Sequence, residues 1–172
     1  TASHSELCAV QHPNGENIPK LLDFLPLAKK LDIPLFLEIK SSMTGIERSL
    51  ELAEKVWRIV DQCNVKEQIH YISFDQDVMR KVLLLEPAAT ASYLGWDGDL
   101  SPEQVSANGW HGIDYHIRAY RQNPQWIARS RELGLLTNVW TVNEAEDARD
   151  FLESGIDFIT TDEPELLLGM RG

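Results

Sequence analysis

The sequence predicts an α/β fold built on a parallel sheet, a (β/α)₈ TIM barrel of which about six of the eight strand-helix units are present. Three observations carry that expectation. Strand-like and helix-like segments alternate six times with no linker or low-complexity stretch between them. The polar residues of the strands gather at their C-terminal ends, where barrels of parallel strands place their functional groups. No G-x-G-x-x-G or G-K-[ST] turn follows a strand, which counts against the competing open, doubly wound sheet.

Residues 1–17 read as a polar, irregular leader, with His-Pro-Asn-Gly at 12–15 as a turn. Leu21, Leu22, Leu25, Leu27 and Ala28 recur at helical spacing, giving a helix over about 19–31 that Pro26 is expected to kink or split. The first strand, 35–40, is aliphatic on one face through Leu35, Leu37 and Ile39. Its other face, Phe36, Glu38 and Lys40, turns charged toward the end. Ile46, Leu50, Ala53, Val56, Trp57 and Val60 then form one apolar stripe of a long helix.

Strands follow at 70–74, 89–95, 112–117, 136–142 and 157–161. Asp75 is placed to cap the helix over 75–85. Ser101-Pro102-Glu103-Gln104 has the form of a capping box. Asn123-Pro124 is expected to start a helix that stops at Gly134, and Gly155 to stop another. Asn143 and Asp162 are read as the N-caps of the last two helices.

Composition bounds the function. The length suits one domain spanning residues 1–172, large enough to bury roughly 70% of its unfolded surface. The chain has 27 acidic and 16 basic side chains, a net charge of −11, and no basic stripe to meet a phosphate backbone, so nucleic acid is excluded as a partner. No apolar run approaches the roughly 18 residues of a membrane span. A soluble protein of the cytoplasm or periplasm is expected, and its acidity suits a site that recruits a divalent cation. Cys8 and Cys63 fit no metal spacing and form no evident disulfide framework, and read as free or buried thiols.

Glu38 and Lys40 are the first candidates for chemistry. They read either as an inward-facing ion pair in a barrel layer, or as a carboxylate for a hard cation such as Mg²⁺ or Ca²⁺ beside an ammonium suited to phosphate. Trp140, near the end of a late strand, reads as core or as the apolar wall of a cleft. The five histidines are scattered and give no convincing catalytic acid or base.

LFLEIK at 35–40, YISFDQDVMRKV at 71–82 and GLLTNVWTVNEAEDARDFLESGIDFITTDEPELL at 134–167 resemble the glycerophosphodiester phosphodiesterase family. That resemblance spans roughly residues 18–168. It implies a metal-dependent enzyme on a (β/α)₈ barrel that hydrolyses glycerophosphodiesters to glycerol 3-phosphate and an alcohol. By the same resemblance Glu38 falls on a metal ligand, Lys40 on a lysine near the phosphate, and Trp140 on a residue lining the cleft. The family's H-R-G, E-x-D and H-D motifs, which hold its acid/base histidines, an arginine and further metal ligands, have no counterpart here. Thr1 would then fall just downstream of the H-D motif.

The isolated chain is therefore expected to be inactive, needing residues outside the 172. The alternative is a catalytically silent barrel fragment that acts in binding or assembly. The open edges of a six-stranded sheet, at 35–40 and 157–161, would invite a second copy.

Overall fold

A computed structural model describes residues 4–171. Among them are six strands: β1 (Leu35–Glu38), β2 (Ile69–Ser73), β3 (Thr90–Gly95), β4 (Gly112–His116), β5 (Leu136–Trp140) and β6 (Phe158–Ile159). They form one wholly parallel sheet in the order of the chain, each neighbour reached through a helical crossover. The strands are shorter than the sequence suggests because their last residues bend into the loops at the mouth. Ile39 extends the first pairing by one bond, its N–H donating to the Ile72 carbonyl at 2.9 Å.

The crossovers carry α2 (Leu21–Leu31), α3 (Ile46–Cys63), α4 (Gln76–Leu85), α5 (Pro102–Ala107), α6 (Ile117–Gln122), α7 (Trp126–Glu132), α8 (Ala145–Glu153) and α9 (Pro164–Leu168). Asp75 caps α4, its Oδ1 accepting from the N–H groups of Asp77 and Val78, and Ser101 and Gln104 form the reciprocal capping box of α5. Pro26 does not break α2, which runs continuously through it. The leader is not wholly irregular: α1 (His4–Cys8) opens it, and Gln11 pairs with Asn17 in an isolated antiparallel bridge.

Three local expectations need correction. Ile117 does not prolong β4 but begins α6, which His116 caps by accepting from the Arg118 N–H. The helix after Asn123-Pro124 starts at Trp126, and Gly134 beyond it takes the left-handed φ of +71° that favours glycine. Asn143 and Asp162 are not the caps of α8 and α9, whose N-cap positions are Glu144 and Glu163.

Asn143 instead ties the β5 loop to the β6 loop. Its Oδ1 accepts from the Asp162 N–H at 2.9 Å and the Thr161 hydroxyl at 3.2 Å, while its amide donates to Asp162 Oδ2 at 3.0 Å. An exposed three-bond tie of this kind is worth about 1 kcal/mol net. Asn143→Ala should therefore lower stability by about that amount in a urea titration, with the slope of the transition unchanged.

Alternation along each strand sorts the side chains into two layers. The convex face, including Tyr71, Ala91, Tyr93, Ile113, Tyr115 and Val139, packs beneath the helices and holds most of the buried apolar volume. The concave face looks into a lumen. At its floor Phe36 stacks on His70 with ring centroids 4.5 Å apart, and Phe158 meets Phe36 edge-on at 5.0 Å. Since Phe36 lies on β1 and Phe158 on β6, that contact joins the two edge strands and curls the sheet into a half-barrel.

His70 is a satisfied floor residue, hydrogen-bonded to Ser92 Oγ at 2.6 Å, and burial pulls its pKa down to about 4. Gly112 follows in the same layer. A Cβ there would lie 2.4 Å from Ser92 Oγ and 2.5 Å from the Leu136 carbonyl, so the strands close up only around glycine.

Candidate active site

The C-terminal ends of the strands converge on one cavity of about 310 Å³. Glu38, Lys40, Ile72, Phe74, Leu94, Trp96, Asp114, Trp140, Thr141 and Thr160 line it. The period of two explains the grouping. Glu38, Ile72, Leu94, Asp114, Trp140 and Thr160 all occupy lumen-facing positions, one layer or two above the aromatic floor. The three residues singled out in the sequence, Glu38, Lys40 and Trp140, thus share one cleft.

Glu38 and Lys40 stand at the mouth as a loose ion pair, Nζ 3.5 Å from Oε2, with Lys40 79% and Glu38 30% exposed at the side chain. Such an open pair contributes at most about 1 kcal/mol to stability, so fold stability does not explain why these two groups stand here. Both are free to engage a charged ligand.

Trp140 half-covers the opposite side. Its indole N–H donates to the Asp114 carbonyl at 3.0 Å, which fixes the ring against β4. Around it stands an aromatic wall that the sequence did not single out. Phe74 and Trp96 lie nearly parallel, 16° between planes and 6.5 Å between centroids. Trp140 is close to perpendicular to both, at 5.9 Å from Phe74 and 4.6 Å from Trp96. His116 backs the group at 4.9 Å from each tryptophan, its pKa held down by burial and then by Arg118. Phe74 and Trp96 follow the ends of β2 and β3 directly. That placement at a strand end is the signal that could have found them.

Asp114 is the second unforeseen group. It is 1% exposed on the lumen face of β4, and neither carboxylate oxygen has a hydrogen-bond partner. Asn138, its neighbour across the β4–β5 register, turns its amide to Thr160 Oγ1 at 3.1 Å instead. Burial pushes the Asp114 carboxyl up to about 7; the Asn138 amide beside it opposes the rise without closing a hydrogen bond to either oxygen, and the charge on Glu38 adds to it. The sequence signal was faint: an acid flanked by Ile113 and Tyr115, in a strand otherwise buried.

Among the described residues no cluster of three or more His, Cys, Asp or Glu is arranged to hold a metal ion. Glu38 nevertheless fits one ligand position for a hard cation, since it is an oxygen donor at the edge of an open cleft. Mg²⁺ commonly takes only one or two protein carboxylates, the remainder being water and phosphate oxygens. Among the described residues no helix is long and apolar enough to cross a membrane, and Cys8 and Cys63 are not disulfide-bonded.

Residues 3–166 match the family described as the glycerophosphoryl diester phosphodiesterase family. The chain belongs to that family. A glycerophosphodiester phosphodiesterase from Caldanaerobacter subterraneus subsp. tengcongensis is 26% identical over 156 residues, which is 91% of this chain and 63% of that protein. The chain therefore spans less than two thirds of that curated relative.

Among solved structures, a glycerophosphodiester phosphodiesterase from Parabacteroides distasonis superposes with a TM-score of 0.92 at 34% identity, covering 99% of this chain and 71% of that one. An Oleispira antarctica phosphodiesterase, solved with the product sn-glycerol-3-phosphate, shares the fold at a TM-score of 0.78 and 18% identity. The match covers 90% of this chain and 62% of that one. The six parallel strands and their crossovers are thus those of the family's TIM barrel.

Proposed function

We propose that these 172 residues form one partial barrel domain of a metal-dependent phosphodiesterase that hydrolyses glycerophosphodiesters to glycerol 3-phosphate and an alcohol. One observation carries the reading: Glu38 and Lys40 project together into a single cleft, opposite Trp140, in a chain whose family membership spans residues 3–166. The product held by the Oleispira antarctica relative supports the same substrate class.

In this reading Glu38 is one ligand of a divalent cation, Mg²⁺ or Ca²⁺. The bound cation would neutralise charge on the phosphoryl oxygens. Lys40 supplies a compact point charge to the phosphate, and its long exposed stem lets it follow the group as it moves. Trp140 walls the cleft and excludes water from one side. Asp114 is the one lining group whose carboxyl is held near neutrality, but at 1% exposure it lies beneath the cleft surface and is out of reach of a bound substrate. His116 is already engaged as a helix cap, and His70 lies on the floor. Turnover accordingly requires residues outside the 172.

The test is an assay of glycerol 3-phosphate release from sn-glycero-3-phosphocholine with Mg²⁺ or Ca²⁺. The isolated chain should turn over little, and the full-length protein should turn over in a cation-dependent way that EDTA abolishes. Robust turnover by the isolated chain would refute the partial-site reading. No turnover by the full-length protein would refute the enzyme.

A second reading has its own support. β1 and β6 each have one edge unpaired within the described sheet, and open edges are templates for another strand. A binding or assembly module would elute from gel filtration as a dimer or larger species, with no hydrolysis at any cation concentration.

A further inference from the structure

We infer that Ser73 and Ser49 are positioning residues for Lys40: two buried hydroxyls pin the backbone on either side of it and so aim its ammonium at the substrate phosphate. The inference rests on the phosphodiesterase reading above, in which Lys40 meets that phosphate.

The side chain of Lys40 is 79% exposed and its ion pair with Glu38 is loose, at 3.5 Å, so the backbone that carries the stem sets its direction. β1 ends at Glu38, and the regular ladder runs out just where the lysine stands. The Ile39 N–H still reaches the Ile72 carbonyl at 2.9 Å, which holds the peptide plane between Glu38 and Ile39. A parallel ladder would next send the Phe74 N–H to the Ile39 carbonyl. That carbonyl instead accepts the Ser73 hydroxyl at 2.7 Å. A side chain thus takes over from the backbone, and the ends of β1 and β2 are free to diverge.

This hydroxyl has little freedom of its own. Ser73 is 1% exposed, and its Oγ also accepts from the Asp75 N–H at 3.1 Å, at the cap of α4. With an acceptor site of the oxygen taken there, its proton is directed at Ile39. The pinned carbonyl belongs to the planar peptide that leads into Lys40. On the far side, the Ser42 N–H donates to Ser49 Oγ at 2.8 Å. Ser49 stands in the first turn of α3 and is 1% exposed. Lys40 and Ser41 are strung between two buried anchors.

A backbone group stripped of its partner turns toward water, since leaving it buried and unpaired is costly. A pivot at either anchor therefore swings the exposed lysine. Glu38 stays in place, because Ile72 holds it.

The test uses the full-length protein. It combines titration calorimetry of glycerol 3-phosphate with Mg²⁺ present, kcat/KM on sn-glycero-3-phosphocholine, and the Mg²⁺ concentration that gives half the cation-dependent rise in Tm. Ser73→Ala and Ser49→Ala should each weaken glycerol 3-phosphate binding about tenfold. Each should lower kcat/KM alike and leave the Mg²⁺ midpoint where it was. Ser49→Ala separates aim from stability, because alanine suits a helix better than serine, and it decides alone if Ser73→Ala does not fold. Ser73→Thr keeps the hydroxyl and should bind as the unaltered protein does.

Unchanged binding in either folded alanine variant would overturn the inference. So would a loss of Mg²⁺ affinity as large as the loss of glycerol 3-phosphate, which would mean that the whole end of β1 had moved. If the unaltered protein hydrolyses no ester, the phosphodiesterase reading fails on its own. The titration still decides the aim of Lys40: binding weakened by the alanine variants supports it, and absent binding sinks it.

Discussion

Glu38→Gln in the full-length protein is expected to lower turnover on the order of a hundredfold or more. It should also weaken divalent-cation affinity, read as loss of the cation-dependent rise in Tm. The substitution keeps the side chain's size and its place at the end of β1, and removes only the charge. Two readings of Glu38 separate cleanly here. As a partner of Lys40 in an exposed ion pair at 3.5 Å, it would cost at most about 1 kcal/mol of stability and leave the cation response intact. As a ligand it governs cation affinity while hardly altering the melting of the cation-free protein. Unchanged cation affinity and turnover would show that the ligand assignment is wrong.

Asp114→Asn should make the 172-residue chain more stable at pH 8 in EDTA, by about 2 kcal/mol, and leave stability at pH 4 nearly unaltered. The direction follows from burial. The carboxyl titrates near 7 in the folded chain against an ordinary value of 3.8. Between those values the native state holds a proton that the unfolded chain has released. Stability contributed by the neutral acid is present in full below pH 4 and is lost as pH rises to 7. The whole loss is about 4 kcal/mol, of which asparagine recovers a part, since its amide also needs partners.

Other carboxylates act in the opposite sense. Glu51, Glu54 and Glu103 are held below their usual values by lysine or arginine partners. The Asp114 effect is therefore read as the difference between the two proteins' urea midpoints from pH 4 to 8. Parallel curves would show that Asp114 is ionised and solvated throughout.

What was legible in the sequence was what repeats. A period of two in the strands and of 3.6 in the helices gave the six units, their order and the parallel sheet. The same alternation puts Glu38 and Lys40 on one face. Phe74, Trp96 and Asp114 escaped because they belong to the cleft only through strands far from β1 in sequence. A ring at a strand end marks the mouth of the barrel, but nothing local says which rings meet there or that a lumen-facing acid stands without a partner.

Asn143 and Asp162 show the same limit in another form. Each stands just before a helix and has a capping side chain, yet two loops brought together by the sheet give them to each other. A cap motif reports a local opportunity, and tertiary proximity decides who takes it.

The meeting of Phe36 and Phe158 settles a question of order. Two rings 5.0 Å apart hold the first and last rails of the sheet by side chain alone, where backbone bonding does not reach. The bend of the hoop is thereby set from within. Whatever later lies along those bare rails inherits a fixed arc and does not create it, so Glu38 and the Trp140 indole line one cavity at a separation that the six rails impose by themselves.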